Sequence, residues 1–215
     1  MTLCSEEEAE AWVQTTFDVS RETMARLHDF ASLLTQENER QNLVSRGSLA
    51  SLWVRHFADS AQLLRFAPGP NASWLDLGSG AGFPGLIVAA LHRGRVTLVE
   101  SRKLRVDFLN RAAEVLDVTG WTEIVLGRVE RLPPRKYDVI SARAFAPIGE
   151  LLTFAHPFST EKTRWILPKG RSAQTELEAA ESSWQGSFRL EPSLTDADSG
   201  IIIADGVRPR GRKKP

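Results

Sequence analysis

Apolar residues in the first third of the chain fall at helical spacing. Met24, Leu27, Phe30, Ala31 and Leu34 recur at steps that place them on one stripe of an amphipathic helix. Ser20 stands where a cap belongs, and Glu22 lies in the first turn, where a carboxylate suits the helix dipole. A second stripe runs through Trp53, Phe57, Ala61 and Leu64, with Ser48 as its expected cap. Pro68-Gly69-Pro70-Asn71 then breaks the helical rhythm and marks a boundary.

Beyond that boundary the pattern changes to short apolar runs between helical stretches. Residues 74–77, 95–99, 123–126, 137–141 and 164–167 read as strands. Helices are expected at 86–91, through Val106, Leu109, Ala113 and Leu116, at 148–154 and at 173–184. Residues 187–190 and 201–204 are expected to close the sheet as an edge hairpin. Such alternation predicts an α/β protein with a mostly parallel sheet and helices on both faces. The division expected is a helical segment 1–68, an α/β domain 69–207 and a basic, disordered tail 208–215.

Composition narrows the setting. An apolar fraction of 42% and a charged fraction of 25% are those of an ordinary globular protein. Cys4 is the only cysteine, which excludes an intrachain disulfide framework and a cysteine-rich zinc site. No long apolar run suggests a membrane span, and residues 1–10 are acidic, unlike a secretion signal, so a cytoplasmic location is expected. Four histidines give no ligand spacing, so no metal is expected, and a monomer is anticipated.

The formal net charge is zero, yet the charges are unevenly spread. Residues 1–40 hold three basic and nine acidic side chains, whereas residues 93–111 hold six basic and two acidic. Residues 208–214 hold five basic and none acidic, so one basic face is compatible with a neutral sum. Scattered surface charge accounts for the same counts.

The strongest local signal is Asp76-Leu77-Gly78-Ser79-Gly80-Ala81-Gly82-Phe83-Pro84-Gly85, where a first strand hands over to a first helix. Glycines there permit a tight turn and close approach of a ligand. Gly80-x-Gly82-x-x-Gly85 satisfies the dinucleotide fingerprint, and Glu100 stands where a ribose-binding acid belongs. Asp76 favours a different ligand. An acid beside the loop repels a pyrophosphate, whereas S-adenosylmethionine carries an ammonium and a sulfonium and no phosphate. A dinucleotide, or a turn holding nothing, remains open on the loop alone. Val129 and Glu130, after the third strand, are placed to flank an adenine.

Arg55-His56-Phe57-Ala58-Asp59-Ser60 upstream and Ser141-Ala142-Arg143-Ala144-Phe145-Ala146 downstream are more specific. With Asn42-Leu43, Glu100-Ser101-Arg102-Lys103 and Leu167-Pro168-Lys169-Gly170, they make the chain resemble the RsmG family, also called GidB, across roughly residues 33–170. That resemblance implies a Rossmann-like class I methyltransferase fold behind a helical segment. It implies S-adenosyl-L-methionine as donor and N7 of a guanine in 16S ribosomal RNA, free or in a small-subunit particle, as acceptor.

By the same resemblance Gly78 and Phe83 contact the cofactor, with Asp76, Gly80 and Gly82 completing the loop. Glu100 serves the ribose and Val129 and Glu130 the adenosine end. Arg143 is expected to contact the cofactor too and, with Lys169, to be a positioning group at the mouth, since attack by N7 needs no general base. Asn42, Arg102, Lys103, Arg105 and Lys169 are expected to meet RNA, with Arg111 in the same basic cluster and binding sensitive to salt. His56 and Asp59 share a helical face, either as a structural network or near substrate.

The chain departs from the family pattern at Glu37-Asn38, at Val44 and at Ser199-Gly200. The competing readings are a methyltransferase of this fold acting on a small molecule or protein, an NAD(P)-dependent oxidoreductase, and a noncatalytic RNA-binding module.

Overall fold

The computed structural model describes residues 2–211. Helices α1 (Glu6–Thr16) and α2 (Arg21–Asn38) come first, each capped by a serine: Ser5 accepts from Glu8 N and Ser20 from Thr23 N. The short α3 (Arg46–Leu49) is capped by Ser45, not by Ser48, whose own amide donates to the Ser45 hydroxyl. A π-helical turn, Trp53–Ala58, follows and runs into α4 (Asp59–Ala61) and a 3-10 turn, Gln62–Phe66. The Glu6 carboxylate of α1 accepts from Trp53 N and Val54 N, both at 2.9 Å, and so pins the start of the widened turn.

The remaining elements alternate. They are β1 (Trp74–Leu77), α5 (Gly85–Leu91), β2 (Val96–Glu100), α6 (Lys103–Val115), β3 (Thr122–Leu126), β4 (Val139–Ala142), α7 (Ile148–Ala155), β5 (Arg164–Lys169), α8 (Ala173–Glu181), β6 (Trp184–Pro192) and β7 (Gly200–Pro209). The seven strands form one sheet in the order β3-β2-β1-β4-β5-β7-β6. The first five run parallel, and β7 enters antiparallel between β5 and β6. This is the Rossmann-like class I methyltransferase fold expected from the sequence. Among the described residues no helix is long and apolar enough to cross a membrane.

Two details differ from expectation. The helix expected over 173–184 stops at Glu181, and Trp184 opens β6 with its side chain buried. A disordered tail is expected from Arg208, but β7 continues to Pro209 and Arg210 Nε donates to the carbonyls of Glu181 and Trp184. The rest of that expected tail, 212–215, lies outside the described residues.

The helical segment is built into the same core as the sheet. Phe30 of α2 packs against Phe57, Phe83 and Phe108, with ring centroids 5.7, 5.7 and 6.3 Å away. Glu37, where the family pattern differs, is buried and pairs with Arg111 of α6 at 2.7 Å, tying α2 to the sheet layer. Asn38 accepts from Leu43 N and Val44 N and so folds the chain back after α2.

Candidate functional site

The carboxyl ends of the parallel strands gather the residues of interest, as open α/β sheets generally do. At the end of β1 the chain turns through Gly78, whose φ of +68° is a left-handed conformation that side chains resist. A Cβ there would also lie 2.5 Å from Phe145 Cδ2, so the Phe145 ring rests directly on the loop. Gly80 and Gly82 lie at positive φ as well.

Asp76 does not face outward. It is wholly buried: Oδ2 accepts from Gly85 N at 3.2 Å and Oδ1 from Ser141 Oγ at 2.8 Å. Ser141 Oγ in turn accepts from Trp74 Nε1 at 2.8 Å. Burial pushes the Asp76 carboxyl above its ordinary value, against the pull of these donors. The acid expected to meet a ligand ammonium is instead a lock beneath the turn, because β1 is a central strand with neighbours on both sides.

Glu100, at the end of β2, is 4% exposed. Its oxygens accept from Gly80 N at 3.1 Å and Arg102 N at 2.9 Å, with Arg105 Nη1 at 3.7 Å. Arg105, expected to meet RNA, therefore leans onto the glycine loop. Five of the loop's amides are turned inward, while Ala81 N and Phe83 N donate to nothing among the described residues. Gly78 N and Ser79 N donate to Val99 O, Gly80 N to Glu100, Gly82 N to Ser79 O and Gly85 N to Asp76. Val129 is buried at the start of a 3-10 turn after β3, and Glu130 beside it is exposed.

Beside the loop lies a cavity of about 730 Å³, a size typical of ligand sites. Arg55, His56 and Asp59 form one wall, the loop after β4 another, and the β5 end with the β6–β7 connection a third. Arg143 crosses it. Its Nη1 lies 3.2 Å from Arg55 O, 3.0 Å from His56 Nδ1 and 3.4 Å from Asp59 Oδ2. The guanidinium carbon sits 5.2 Å from the Phe83 ring centroid, and the His56 ring stacks on the same phenyl at 4.9 Å. Burial, then the charges of Arg143 and Arg55, push His56 down to about 3, so its ring is neutral.

Lys169 is less free than expected. Its ammonium donates to Ala146 O at 2.8 Å and pairs with Glu176 at 2.8 Å, with the side chain only 10% exposed. It therefore clamps the loop that carries Arg143 and Phe145. Arg55 pairs with Asp196 at 3.3 Å, so each cation of the cavity has a carboxylate partner. Of the outer basic cluster, Arg111 is committed to Glu37 and Lys103 to Asp107, while Arg102 and Asn42 stand exposed.

Sequence reasoning missed the wall between β6 and β7. Thr195 Oγ1 donates to Asp59 Oδ1 at 2.8 Å, and Ser193 bonds Gln62 and Thr195. Ser199, one of the departures from the family pattern, lines the cavity there. No spacing in the chain signals this wall, because the contact spans more than a hundred residues.

The family model GidB, rRNA small subunit methyltransferase G, matches residues 23–197. The ribosomal RNA small subunit methyltransferase G of Rhizorhabdus wittichii is 49% identical over 97% of this chain and 96% of its own. That of Novosphingobium aromaticivorans is 50% identical over 94% of this chain and 89% of its own. Among solved structures, the ribosomal protein L11 methylase of Lactobacillus delbrueckii subsp. bulgaricus superposes with a TM-score of 0.58 at 15% identity, covering 69% of this chain and 77% of that one. An O-methyltransferase of Bacillus cereus gives 0.57 at 16% identity, covering 82% and 90%.

Proposed function

Because the chain belongs to the family of rRNA small subunit methyltransferase G, we propose that it transfers a methyl group from S-adenosyl-L-methionine to N7 of a guanine in 16S ribosomal RNA. The observation that carries the donor is the direction of the loop amides. A pyrophosphate needs N–H groups pointing at it, and those of Gly78, Ser79, Gly80, Gly82 and Gly85 are already spent within the protein. Of the cations near the loop, Arg105 leans on Glu100, and Arg143, over the Phe83 ring, pairs with Asp59. A cationic donor with no phosphate suits a loop with most of its amides committed better than an NAD(P) dinucleotide does.

The donor, when bound, supplies an electrophilic methyl on a positively charged sulfur. Glu100 Oε2 accepts from Gly80 N and faces Arg105, and Oε1 accepts from Arg102 N and Ser101 Oγ, so a ribose hydroxyl would share the carboxylate with these donors. Val129 and Glu130 would flank the adenine. Guanine N7 has an in-plane lone pair at neutral pH, so the protein has no proton to remove. Its task is alignment, which at full effect is worth about 7–11 kcal/mol. His56, neutral and fixed between Phe83 and Arg143, is not a general base in this reading. Arg143 holds the acceptor, and Lys169 acts at one remove by holding the Arg143 loop. Arg102, Lys103 and Asn42 supply outer contacts to RNA, and the reaction belongs where ribosomal RNA is processed, in the cytoplasm.

The test is transfer of labelled methyl to small-subunit RNA, free and in particles, from cells lacking this gene, with the product nucleoside mapped. Labelled 7-methylguanosine is expected. Methyladenosine, or no label on any RNA form, defeats the assignment and favours a small-molecule or protein acceptor.

A further inference from the structure

We propose that His56 is a positioning residue for the reaction, whose Nδ1 accepts from one edge of the Arg143 guanidinium and turns the opposite edge toward a phosphate of the RNA acceptor. This rests on the RNA-methylating reading above. Arginine is permanently protonated and can only donate, so the 3.0 Å contact requires an unprotonated Nδ1 and puts the ring proton on Nε2. Nε2 is buried with no hydrogen-bond partner among the described residues, although His56 is 8% exposed overall. Such orphan groups are costly and call for an explanation. A residue kept only to stack on Phe83 would serve better as phenylalanine or leucine. The acceptor at Nδ1 is the property that needs an imidazole.

The rest of the geometry agrees. Arg143 Nη1 is shared by Arg55 O, His56 and Asp59, and the guanidinium carbon lies over Phe83. With one edge and one face held, the fork is fixed in orientation. Nε and Nη2 hydrogen-bond to nothing among the described residues, and Arg143 lines the cavity. Two coplanar N–H groups match two oxygens of a phosphate. Asp59, the third partner, is itself held by Thr195 and Gln62, so the clamp is anchored on both sides of the cavity. The low pKa of His56, about 3, keeps Nδ1 an acceptor at every working pH.

The experiment measures binding of small-subunit RNA against salt, with methyl transfer alongside. Each phosphate contact to single-stranded RNA contributes about 0.7 to the slope of log affinity against log salt. Arg143→Ala should lose about that much slope, and so should His56→Phe, which keeps the ring stack but removes the acceptor. His56→Phe should also lower kcat/KM for RNA at least tenfold, by a larger factor than any loss of donor affinity read by calorimetry. His56→Asn, whose Oδ1 reaches the place of Nδ1, should recover most of both. The double variant His56→Phe with Arg143→Ala should bind no worse than Arg143→Ala alone. A wild-type slope in His56→Phe, or no recovery in His56→Asn, overturns the proposal. Nitrogen-15 spectra of the unaltered protein give a test free of any folding defect, because a protonated Nδ1 on His56 refutes it directly. If the wild-type chain methylates no RNA, the functional reading itself has failed and takes this inference with it.

Discussion

Ser141→Ala should cost far more than the loss of one hydroxyl from a surface. Ser141 is fully buried, and its Oγ accepts from Trp74 Nε1 while donating to Asp76 Oδ1. Removing it strands two buried groups at once. Each orphan costs about 1–3 kcal/mol, so the sum is roughly 2–6 kcal/mol, which is a large share of a typical domain's stability. Urea unfolding at neutral pH should show a lower midpoint with an unchanged slope. The loss should also depend on pH. Asp76 is raised in the folded state, chiefly by burial, so the stability tied to its neutral form is complete below the ordinary carboxyl pKa. That stability is lost as pH climbs through the raised folded value. The Ser141 bond favours the carboxylate, and deleting it raises the folded value further. The difference between variant and wild type must therefore widen from acid toward neutral pH. A loss below about 1 kcal/mol, or one that is flat with pH, refutes the chain of Trp74, Ser141 and Asp76 described above.

Three other outcomes are expected. Glu37 is held below its ordinary value by the hydrogen bonds of Arg111 and Gln41, so its stabilising effect is present above the ordinary carboxyl pKa and disappears as pH falls through the lowered one. Glu37→Gln should therefore cost about 1 kcal/mol at neutral pH and almost nothing in strong acid, as read from unfolding midpoints. Gly78→Ala should destabilise by at least about 1–2 kcal/mol from the left-handed backbone alone, and should weaken donor binding because its Cβ displaces Phe145. Glu100→Ala should weaken donor binding tenfold or more in calorimetry, since it also releases Gly80 N and Arg102 N; an unchanged affinity counts against the ribose role.

Much of the fold was legible because its signals are local. The stripe from Met24 to Leu34 and its Ser20 cap lie within one helix, and the 74–77 run precedes its glycines in the chain. What was not legible depends on neighbours in space. Asp76 reads as a strand-end acid, and only the flanking β2 and β4 reveal that it is enclosed. Arg105 and Lys169 read as free cations because their partners, Glu100 and Glu176, face them only once α6 and α8 are packed. The wall carrying Thr195 exists only because β7 inserts antiparallel between β5 and β6. The π-helical turn that presents His56 is likewise set by Glu6, nearly fifty residues earlier.

The phenyl ring of Phe83 stands on a floor laid by Phe30 and Phe57, from a part of the chain that precedes the first strand. Trimming the protein from its amino end would thus not yield a leaner catalyst. It would remove the foundation under the glycine bend, and any force that shifted those opening helices would reach that bend within a single side chain.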